Sequence, residues 1–442
     1  MEETIVAPAT PAGRGGVAIV RISGTKAKKI GESLCKRLPD SWQIIPCSIY
    51  DKTGGVVDGG LVAFFQSPKS YTGEDVVEIH CHGNPVIVDL IVASAVSFGA
   101  RVADPGEFTK RAFLNDKIDL AQAESVADLI GAESVAAARG ALSSLVGSFS
   151  AEVSGSIERL LSLRVLLEAG LDFPEEEGVP GLDKNLEKVA KGVTEELSFV
   201  EKLIKESKSG IVLRSGLKVV ILGPPNCGKS TLLNYLAKED LAIVSSSPGT
   251  TRDPIRGLVS LLGLPVSLVD TAGVRTKGVG SVEKEGIKRT EQEVSQADLV
   301  FVMSEVGVEF KPVGVEASQA IRVFNKIDLV DKGRDLKKQK GAVYLSAKTG
   351  EGVDLLVKRV HGFVGSSHGI EVPFLARRRH LSLLREVKES LSAAVLSLGS
   401  GSSPELVVED IKSAQNSFGQ IMNPISSDDV LGKIFSEFCV GK

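Results

Sequence analysis

The sequence predicts a multidomain protein of mixed class, with an α+β N-terminal part, a discontinuous all-α part, and an α/β domain inserted between the two helical pieces. Three observations predict it. Short β-type runs punctuated by Gly and Pro dominate residues 1–116. Apolar positions at helical spacing dominate 117–214 and 371–442, and strand and helix alternate through 215–370. A chain of 442 residues accommodates roughly two to four domains.

In the first segment, residues 17–22, 60–65 and 76–79 carry the strand signal. From 117 onward Ala, Leu, Ser and Glu take over and aromatic residues nearly vanish. The helical run breaks at Asp172-Phe173-Pro174 and resumes at 182–207 with alternating charge. Between 215 and 370 the short apolar runs at 218–222, 266–269, 299–302, 321–324 and 342–345 are separated by helical segments, the pattern of a buried parallel sheet. Residues 371–442 return to helix, with a break at 399–404. A helical domain assembled from both flanks is the economical reading, because a domain whose termini lie close together inserts easily into another.

Composition narrows the class. Apolar residues make up 43% and charged residues 24%, the balance of a chain with sizeable cores. A formal charge of −4 gives no global footprint for nucleic acid or membrane, though it leaves room for a local basic patch. The acidic start, Met1-Glu2-Glu3, lacks the positive region and apolar core of a signal peptide. The most apolar stretch, 85–100, contains Asp89 and is too short to span a bilayer, so no membrane role is expected. Five scattered cysteines form no CxxC pair, which points to a reducing, cytoplasmic compartment.

The chemistry concentrates in the α/β segment. Gly-Pro-Pro-Asn-Cys-Gly-Lys-Ser at 223–230 fits GxxxxGK[ST] between a strand and a helix. Such a loop turns backbone N–H groups onto phosphates and adds the positive end of a helix. Asn226, Cys227, Gly228, Lys229, Ser230 and Thr231 are the candidate phosphate contacts. Lys229 reaches the β/γ-phosphates and Ser230 ligates Mg²⁺. A tight strand-to-helix turn is the bland alternative, and the loop alone does not select the base.

The downstream elements select it. Asp-Thr-Ala-Gly at 270–273 follows a strand, placing Asp270 to hold Mg²⁺ through water and Gly273 N–H at the γ-phosphate. Thr250 and Thr251, in Gly-Thr-Thr-Arg-Asp at 249–253, offer a hydroxyl to close on Mg²⁺, assigned to Thr251. Asn325-Lys326-Ile327-Asp328 follows another strand, and a carboxylate at Asp328 can accept both the ring N–H and the amino group of guanine. Adenine lacks that donor pair, and charge-assisted bonds of this kind are worth about 1.5–3 kcal/mol each. Ser346, Ala347 and Lys348 bring backbone to the guanine carbonyl. These elements, in this order and context, define a Ras-like P-loop G domain that binds and hydrolyses GTP.

The position that carries a water-orienting Gln in some GTPases is Val274, which cannot hydrogen-bond, so another group handles the water. Asn226 is an oxygen ligand for a monovalent cation beside the phosphates, and equally a simple turn residue.

Joined to its flanks, the chain resembles the MnmE (TrmE) family of tRNA-modification GTPases over essentially its whole length. The resemblance rests on Thr-Ile-Val-Ala-Pro-Ala-Thr-Pro at 4–11, Gly-Arg-Gly-Gly at 13–16, Tyr-Thr-Gly-Glu-Asp at 71–75 and Pro-Gly-Glu-Phe at 105–108. It continues through Arg-Ala-Phe-Leu-Asn-Asp-Lys at 111–117, Asp-Leu-Ala-Gln-Ala-Glu at 119–124, Phe-Leu-Ala-Arg-Arg-Arg-His at 374–380, and the highly specific Phe-Cys-Val-Gly-Lys ending at 438–442.

The resemblance implies a homodimer built through a folate-binding-like N-terminal domain. It implies a pocket for 5-formyl-tetrahydrofolate or a related reduced folate, with Arg21, Glu78, Lys117 and Lys442 at the matching positions. Cations suit the glutamate tail and a carboxylate suits the pterin N–H edge; without the resemblance these read as ordinary strand and helix-start residues. It implies a flavoprotein partner, MnmG (GidA), which alone carries FAD and uses NADH, and a joint reaction on carbon five of the wobble uridine of certain tRNAs. An aminomethyl or carboxymethylaminomethyl group is added there, with the one-carbon unit coming from folate and the nitrogen from ammonia or glycine.

For hydrolysis the resemblance implies K⁺ held by Asn226 and by the loop 245–250, with Ser245, Ser247 and Thr250 as ligands and Ser245 also beside the nucleotide. It implies pairing of two G domains across the nucleotide and an acidic residue, Glu283, that orients water indirectly. Glu285 is the neighbouring alternative, and Glu is in any case favoured in the first turn of a helix. The sequence departs from the family in a serine-rich K⁺ loop, Ser245-Ser246-Ser247-Pro248, in a longer loop at 275–281, and in a short segment at 305–319 without the usual acidic pair.

Two features remain. His80 and His82 share a face of a strand while Cys81 points the other way, and no further pair completes a four-ligand zinc site, so no metal is expected there. Cys439 is a functional candidate because the family ties that cysteine to modification rather than hydrolysis. The competing readings are a regulatory ribosome-assembly GTPase without modification chemistry, and a folate enzyme with a regulatory G domain.

Overall fold

The computed structural model describes residues 3–132, 134–172, 182–239, 256–261, 264–270, 292–312, 315, 319–330, 339, 341–364, 373–400, 403–423, 435, 438 and 441. It divides into two compact units, Met1–Ala127 with Gly419–Lys442, and Asp128–Phe418.

The first unit holds a six-stranded sheet in the order β3-β4-β5-β2-β1-β6. Its strands are β1 (Ile5–Pro8), β2 (Gly15–Ser23), β3 (Gln43–Tyr50), β4 (Val56–Phe65), β5 (Val76–Gly83) and β6 (Arg101–Val102). Neighbours run antiparallel except β1 and β6. Alternation sets the two faces. Val20 and Ile22 of β2 and Val77, Ile79 and Cys81 of β5 are buried in one apolar core. Arg21 pairs in register with Glu78 and points to the opposite face, followed by His80 and His82.

Two helices supply that core from the other side. In α1 (Ala27–Cys35), Ala27, Ile30 and Leu34 form a buried stripe. The nearly all-apolar run at 85–100 is α2 (Pro85–Ser97), started by Asn84, whose side chain accepts from Val86 N at 2.9 Å, and by Pro85 at the first helical position. Among the described residues no helix is long and apolar enough to cross a membrane.

Behind the sheet, α3 (Glu107–Leu114) brings Arg111 into a largely buried ion network. Arg111 donates to Glu74 at 3.0 Å, to Glu107 at 2.9 Å and to the Glu3 carbonyl at 2.7 Å, while Glu74 also accepts from Ser23 at 2.6 Å. The motifs at 71–75, 105–108 and 111–117 therefore meet in space. Phe435 and Phe438 pack with Leu120 and Ala123 at the start of α4 (Leu120–Ile130). Gly441 sits at φ +93°, where a Cβ would lie 1.8 Å from the Pro8 carbonyl oxygen; only glycine lets the tail pass this close to β1.

The second unit contains the other sheet, in the order β12-β11-β10-β7-β9-β8. Its strands are β7 (Leu217–Leu222), β8 (Arg256–Leu261), β9 (Leu264–Asp270), β10 (Leu299–Glu305), β11 (Ala320–Asn325) and β12 (Val343–Tyr344). All pairings are parallel except the β8–β9 hairpin at the edge, so the expected parallel sheet carries one antiparallel edge strand. The helices α8 (Lys229–Glu239) and α9 (Val353–Val364) contribute Leu232, Leu236, Leu356 and Val360 to its core.

Helices from both sides of this sheet in sequence pack together. They are α5 (Val135–Val146), α6 (Ser148–Asp172), α7 (Leu182–Ser215), α10 (Arg378–Gly399) and α11 (Pro404–Met422). α7 packs against both α6 and α10. Arg164 of α6 donates to Gln415 of α11 at 2.8 Å, and Ser417 of α11 donates to Glu386 of α10 at 3.3 Å.

Candidate functional site

In an open parallel sheet, ligands bind beyond the carboxyl ends of the strands where the strand order reverses. That point here is β7, flanked by β9 on one side and β10 on the other. The loop 223–228 leaves β7 and feeds α8, so Lys229 and Ser230 open the helix. Gly228 has φ +98°, and a Cβ there would stand 2.2 Å from Asn325 Nδ2, so a side chain would push the loop off its neighbour. Asn226 is also left-handed, at φ +61°, and exposed. Asn is among the few non-glycine residues that adopt this conformation readily, so both earlier readings of Asn226 remain compatible with its backbone.

Lys229 is buried and folded against its own loop, its Nζ donating to the carbonyls of Gly223 and Pro224 at 2.9 Å each. Cys227 is buried beside it, and burial pushes its thiol pKa up, so it packs as a small apolar group. Ser230 and Thr231 are exposed at the helix start. Asp270 ends β9 in register with Ile221, which sets its backbone beside the start of the phosphate loop.

The base side is built from β11, β12 and the turns that follow. Asn325 is 3% exposed. Its Nδ2 donates to Cys227 O at 2.8 Å, and its Oδ1 accepts from Ala347 N at 2.8 Å. Asn325 therefore bolts the phosphate loop to the Ser-Ala-Lys loop. Asp328 is exposed in the 3-10 turn Ile327–Leu329, and Ser346 Oγ donates to its Oδ1 at 2.6 Å. Lys326, at φ +67°, forms an ion pair with Glu305 at the end of β10. Ser346 and Ala347 are buried and Lys348 is exposed. Sequence reasoning missed Glu305; its only signal was an acidic residue closing a strand next to the Asn-Lys-Ile-Asp loop.

Ser245, Ser247, Thr250, Thr251, Gly273, Val274, Glu283 and its alternative Glu285 lie outside the described residues, as do Cys439 and Lys442.

A second constellation lies on the face of the first sheet opposite α1 and α2. Arg21 Nε donates to Glu78 Oε1 at 2.8 Å. The Arg21 guanidinium stands 5.5 Å from the Tyr71 ring centre and 5.7 Å from that of Phe108. Tyr71 is fixed through its hydroxyl, 2.8 Å from Thr109 Oγ1. Lys117 donates to the Pro68 carbonyl at 3.0 Å, in the loop that also carries Tyr71. The sequence singled out Arg21, Glu78 and Lys117 but not Tyr71 or Phe108, although both sit inside recognised motifs. His82 is taken up by Asp58, with Nδ1 2.8 Å from Oδ1. Among the described residues no group of three or more His, Cys, Asp or Glu side chains is placed to hold a metal ion.

A phosphate loop at the switch point, with Asn-Lys-Ile-Asp and Ser-Ala-Lys loops closing one rim, defines a P-loop GTP hydrolase with additional α+β and helical parts. The profile described as the MnmE helical domain matches residues 120–439, and that described as the GTP-binding protein TrmE N-terminus matches 4–117. A protein named tRNA modification GTPase MnmE from Coxiella burnetii is 44% identical over 452 residues, covering 100% of this chain and 99% of its own length. Relatives of the same name from Legionella pneumophila and Nitrosomonas eutropha are 45% and 43% identical with the same coverage. The chain belongs to the MnmE family.

Proposed function

We propose that this chain is a K⁺-stimulated GTPase that acts with an FAD-dependent partner of the MnmG class to modify carbon five of the wobble uridine in certain tRNAs. The observation that carries this reading is that relatives named tRNA modification GTPase match end to end, so the flanks as well as the G domain are common to them. A G domain serving an unrelated assembly role would not require the N-terminal unit to match along with it.

In this reading the G domain is the energy-transducing part. Lys229 and the N-terminus of α8 hold phosphate charge, and Asp328 selects guanine. Mg²⁺, when bound, neutralises charge on the β/γ-phosphates, and Ser230, Thr251 and Asp270 are the residues to hold it. Asn226, with Ser245, Ser247 and Thr250, is assigned to K⁺; its exposure at the mouth of the loop fits a ligand aimed outward. Val274 cannot orient water, so Glu283 takes that role.

The N-terminal unit is assigned to a reduced folate, which supplies the one-carbon unit when bound. The fit rests on the paired Arg21 and Glu78 with the partly exposed Tyr71 ring beside them, a cation, an acceptor and an aromatic surface in one place. Lys117 and Lys442 complete the assignment, and Cys439 is assigned to the modification step. A homodimer through this unit, a division at 1–116, 117–214, 215–370 and 371–442, and a cytoplasmic site of action belong to the same proposal.

The test is nucleoside analysis of tRNA from a strain lacking the protein. Loss of the modified wobble uridine, restored by the wild-type chain, is expected. Normal wobble uridines in the deletion strain would overturn the proposal.

A further inference from the structure

We infer that Cys35 and Cys47 form a dithiol modification site for peroxide, in which Cys47 is oxidised first and Cys35 then closes an intramolecular disulfide with it. The pair lies on the helix-covered side of the first sheet and is independent of the folate reading.

Cys35 is the last residue of α1 and is 3% exposed. Cys47 lies on β3, against which α1 packs; Cys35 is part of the apolar core and Cys47 borders it. Lys36 follows Cys35 at φ +63°, and its Nζ stands 4.8 Å from the centre of the Tyr50 ring, three residues beyond Cys47 on β3. The end of the helix is thereby fixed against this strand. Cys47 is half-buried rather than closed off. β3 is an edge strand, and the residue facing Cys47 on β4 is Gly60, which has no side chain to cover the sulfur. A small oxidant therefore reaches Cys47, whereas Cys35 is shielded.

The two thiols differ in the direction this chemistry needs. A hydrogen bond from Cys35 holds the Cys47 thiol below its ordinary range; burial opposes this, and the positive charge of Arg37 supports it. The same contact with Cys47, and then burial, pushes Cys35 up. Cys47 is thus the thiolate and Cys35 its proton donor. Cys81 and Cys227, the other free cysteines among the described residues, are buried, and burial pushes both up. A lowered, accessible thiol beside a second thiol is the arrangement found in cysteines that respond to oxidants.

In the first step the Cys47 sulfur attacks one oxygen of hydrogen peroxide. The O–O bond breaks, the second oxygen leaves as hydroxide and is protonated to water, and Cys47 becomes a sulfenic acid. In the second step the Cys35 sulfur attacks the Cys47 sulfur. The S–S bond forms, the S–O bond breaks, and the departing hydroxide takes the Cys35 proton as water. The thiolate that kept Cys35 protonated is gone by then, so the first step readies the second.

The experiment exposes the full chain to hydrogen peroxide, blocks the remaining thiols with iodoacetamide, and maps tryptic peptides by mass spectrometry without reduction. Residues 30–36 and 38–52 are expected as one linked species, lighter than their sum by two hydrogens and separated by dithiothreitol. Cys47 is consumed about tenfold faster than Cys81 and Cys227, through thiolate character and access together. Cys47→Ser abolishes the linked species and leaves Cys35 reduced, and Cys35→Ser traps Cys47 as a sulfenic acid that dimedone labels. Absence of the linked species in the wild type, or loss of Cys81 and Cys227 as fast as Cys47, overturns the site. Dimedone labelling of Cys35 in Cys47→Ser overturns the order of the two steps.

Discussion

Asp128 Oδ1 accepts a hydrogen bond from Arg377 Nη2 at 2.8 Å. The same oxygen accepts from Arg214 Nε at 2.7 Å. Arg214 lies in the last turn of α7, immediately before β7, and Arg377 caps α10 after the α/β segment. One carboxylate thus clamps the two places where the chain enters and leaves the nucleotide-binding sheet. Ser144 reinforces the exit, accepting from Leu375 N at 2.8 Å.

Asp128 is 7% exposed and Arg377 11%, so removing the carboxylate takes a charged partner away from a shielded guanidinium. Breaking such a pair from one side costs about 3 kcal/mol. Asp128→Ala is expected to lower unfolding free energy by about that amount in urea titrations, and Asp128→Ala with Arg377→Ala by less than the sum of the two single changes. A loss below about 1 kcal/mol would show the clamp to be replaceable by water.

Asn325 joins two loops by bonds that are both shielded from solvent. Asn325→Ala leaves Cys227 O and Ala347 N without their partner and frees the phosphate loop from the base-binding rim. GTP affinity is expected to fall about tenfold or more, with a parallel loss of thermal stability. Asn325→Asp keeps the acceptor for Ala347 N but replaces the donor to Cys227 O with a second acceptor, so it should rescue little. Titration with a fluorescent GTP analogue measures both; full rescue by Asp would argue against the bond to Cys227.

The G-domain sheet was legible because its buried parallel strands read as continuous apolar runs, and the nucleotide loops because each motif follows one of those runs. The first sheet was harder. β1 is four residues ending in Pro8, and β3 carries Pro46, a residue that argues against a strand unless the strand lies at an edge, as β3 does. β8 was missed because its pairing is set by a hairpin with β9 rather than by a crossover. Arg21 and Glu78 came from resemblance alone. Their direct cross-strand pairing depends on register, which a single strand's pattern does not encode. Asn325 read as a base contact, yet its amide is spent on two backbone groups that only the fold brings near.

Glu107 gives a pH signature for the N-terminal unit. Burial pushes its carboxyl up, but hydrogen bonds from Arg101, Asp104 N–H and Arg111 outweigh burial and hold its pKa at about 2, against an ordinary 4.5. A depressed folded-state pKa stabilises above the unfolded value and loses that stabilisation as pH falls toward the folded one. The Glu107 contribution is therefore complete above about pH 4.5 and fades toward about pH 2, with an upper size of about 3 kcal/mol. Stability curves of wild type and Glu107→Gln are expected to separate at pH 7 and converge near pH 2. Curves that run parallel through this window would mean the ion network does not favour the charged carboxylate.

Asp328 and Ser346 together set base selection. Ser346 Oγ donates to Asp328 Oδ1 at 2.6 Å from a position with no exposure, which turns the carboxylate and leaves lone pairs on both oxygens for the two guanine donors. Asp328→Asn replaces one acceptor with a donor. It should weaken GTP by about 10- to 100-fold and admit xanthosine triphosphate, whose second ring carbonyl accepts from the new amide. Ser346→Ala leaves both acceptors in place but releases their orientation, so GTP affinity should drop by a few fold with the preference over xanthosine triphosphate unchanged. Competition binding with the two nucleotides separates the two roles. If Ser346→Ala altered the preference itself, the hydroxyl would be reading the base rather than aiming the carboxylate that does.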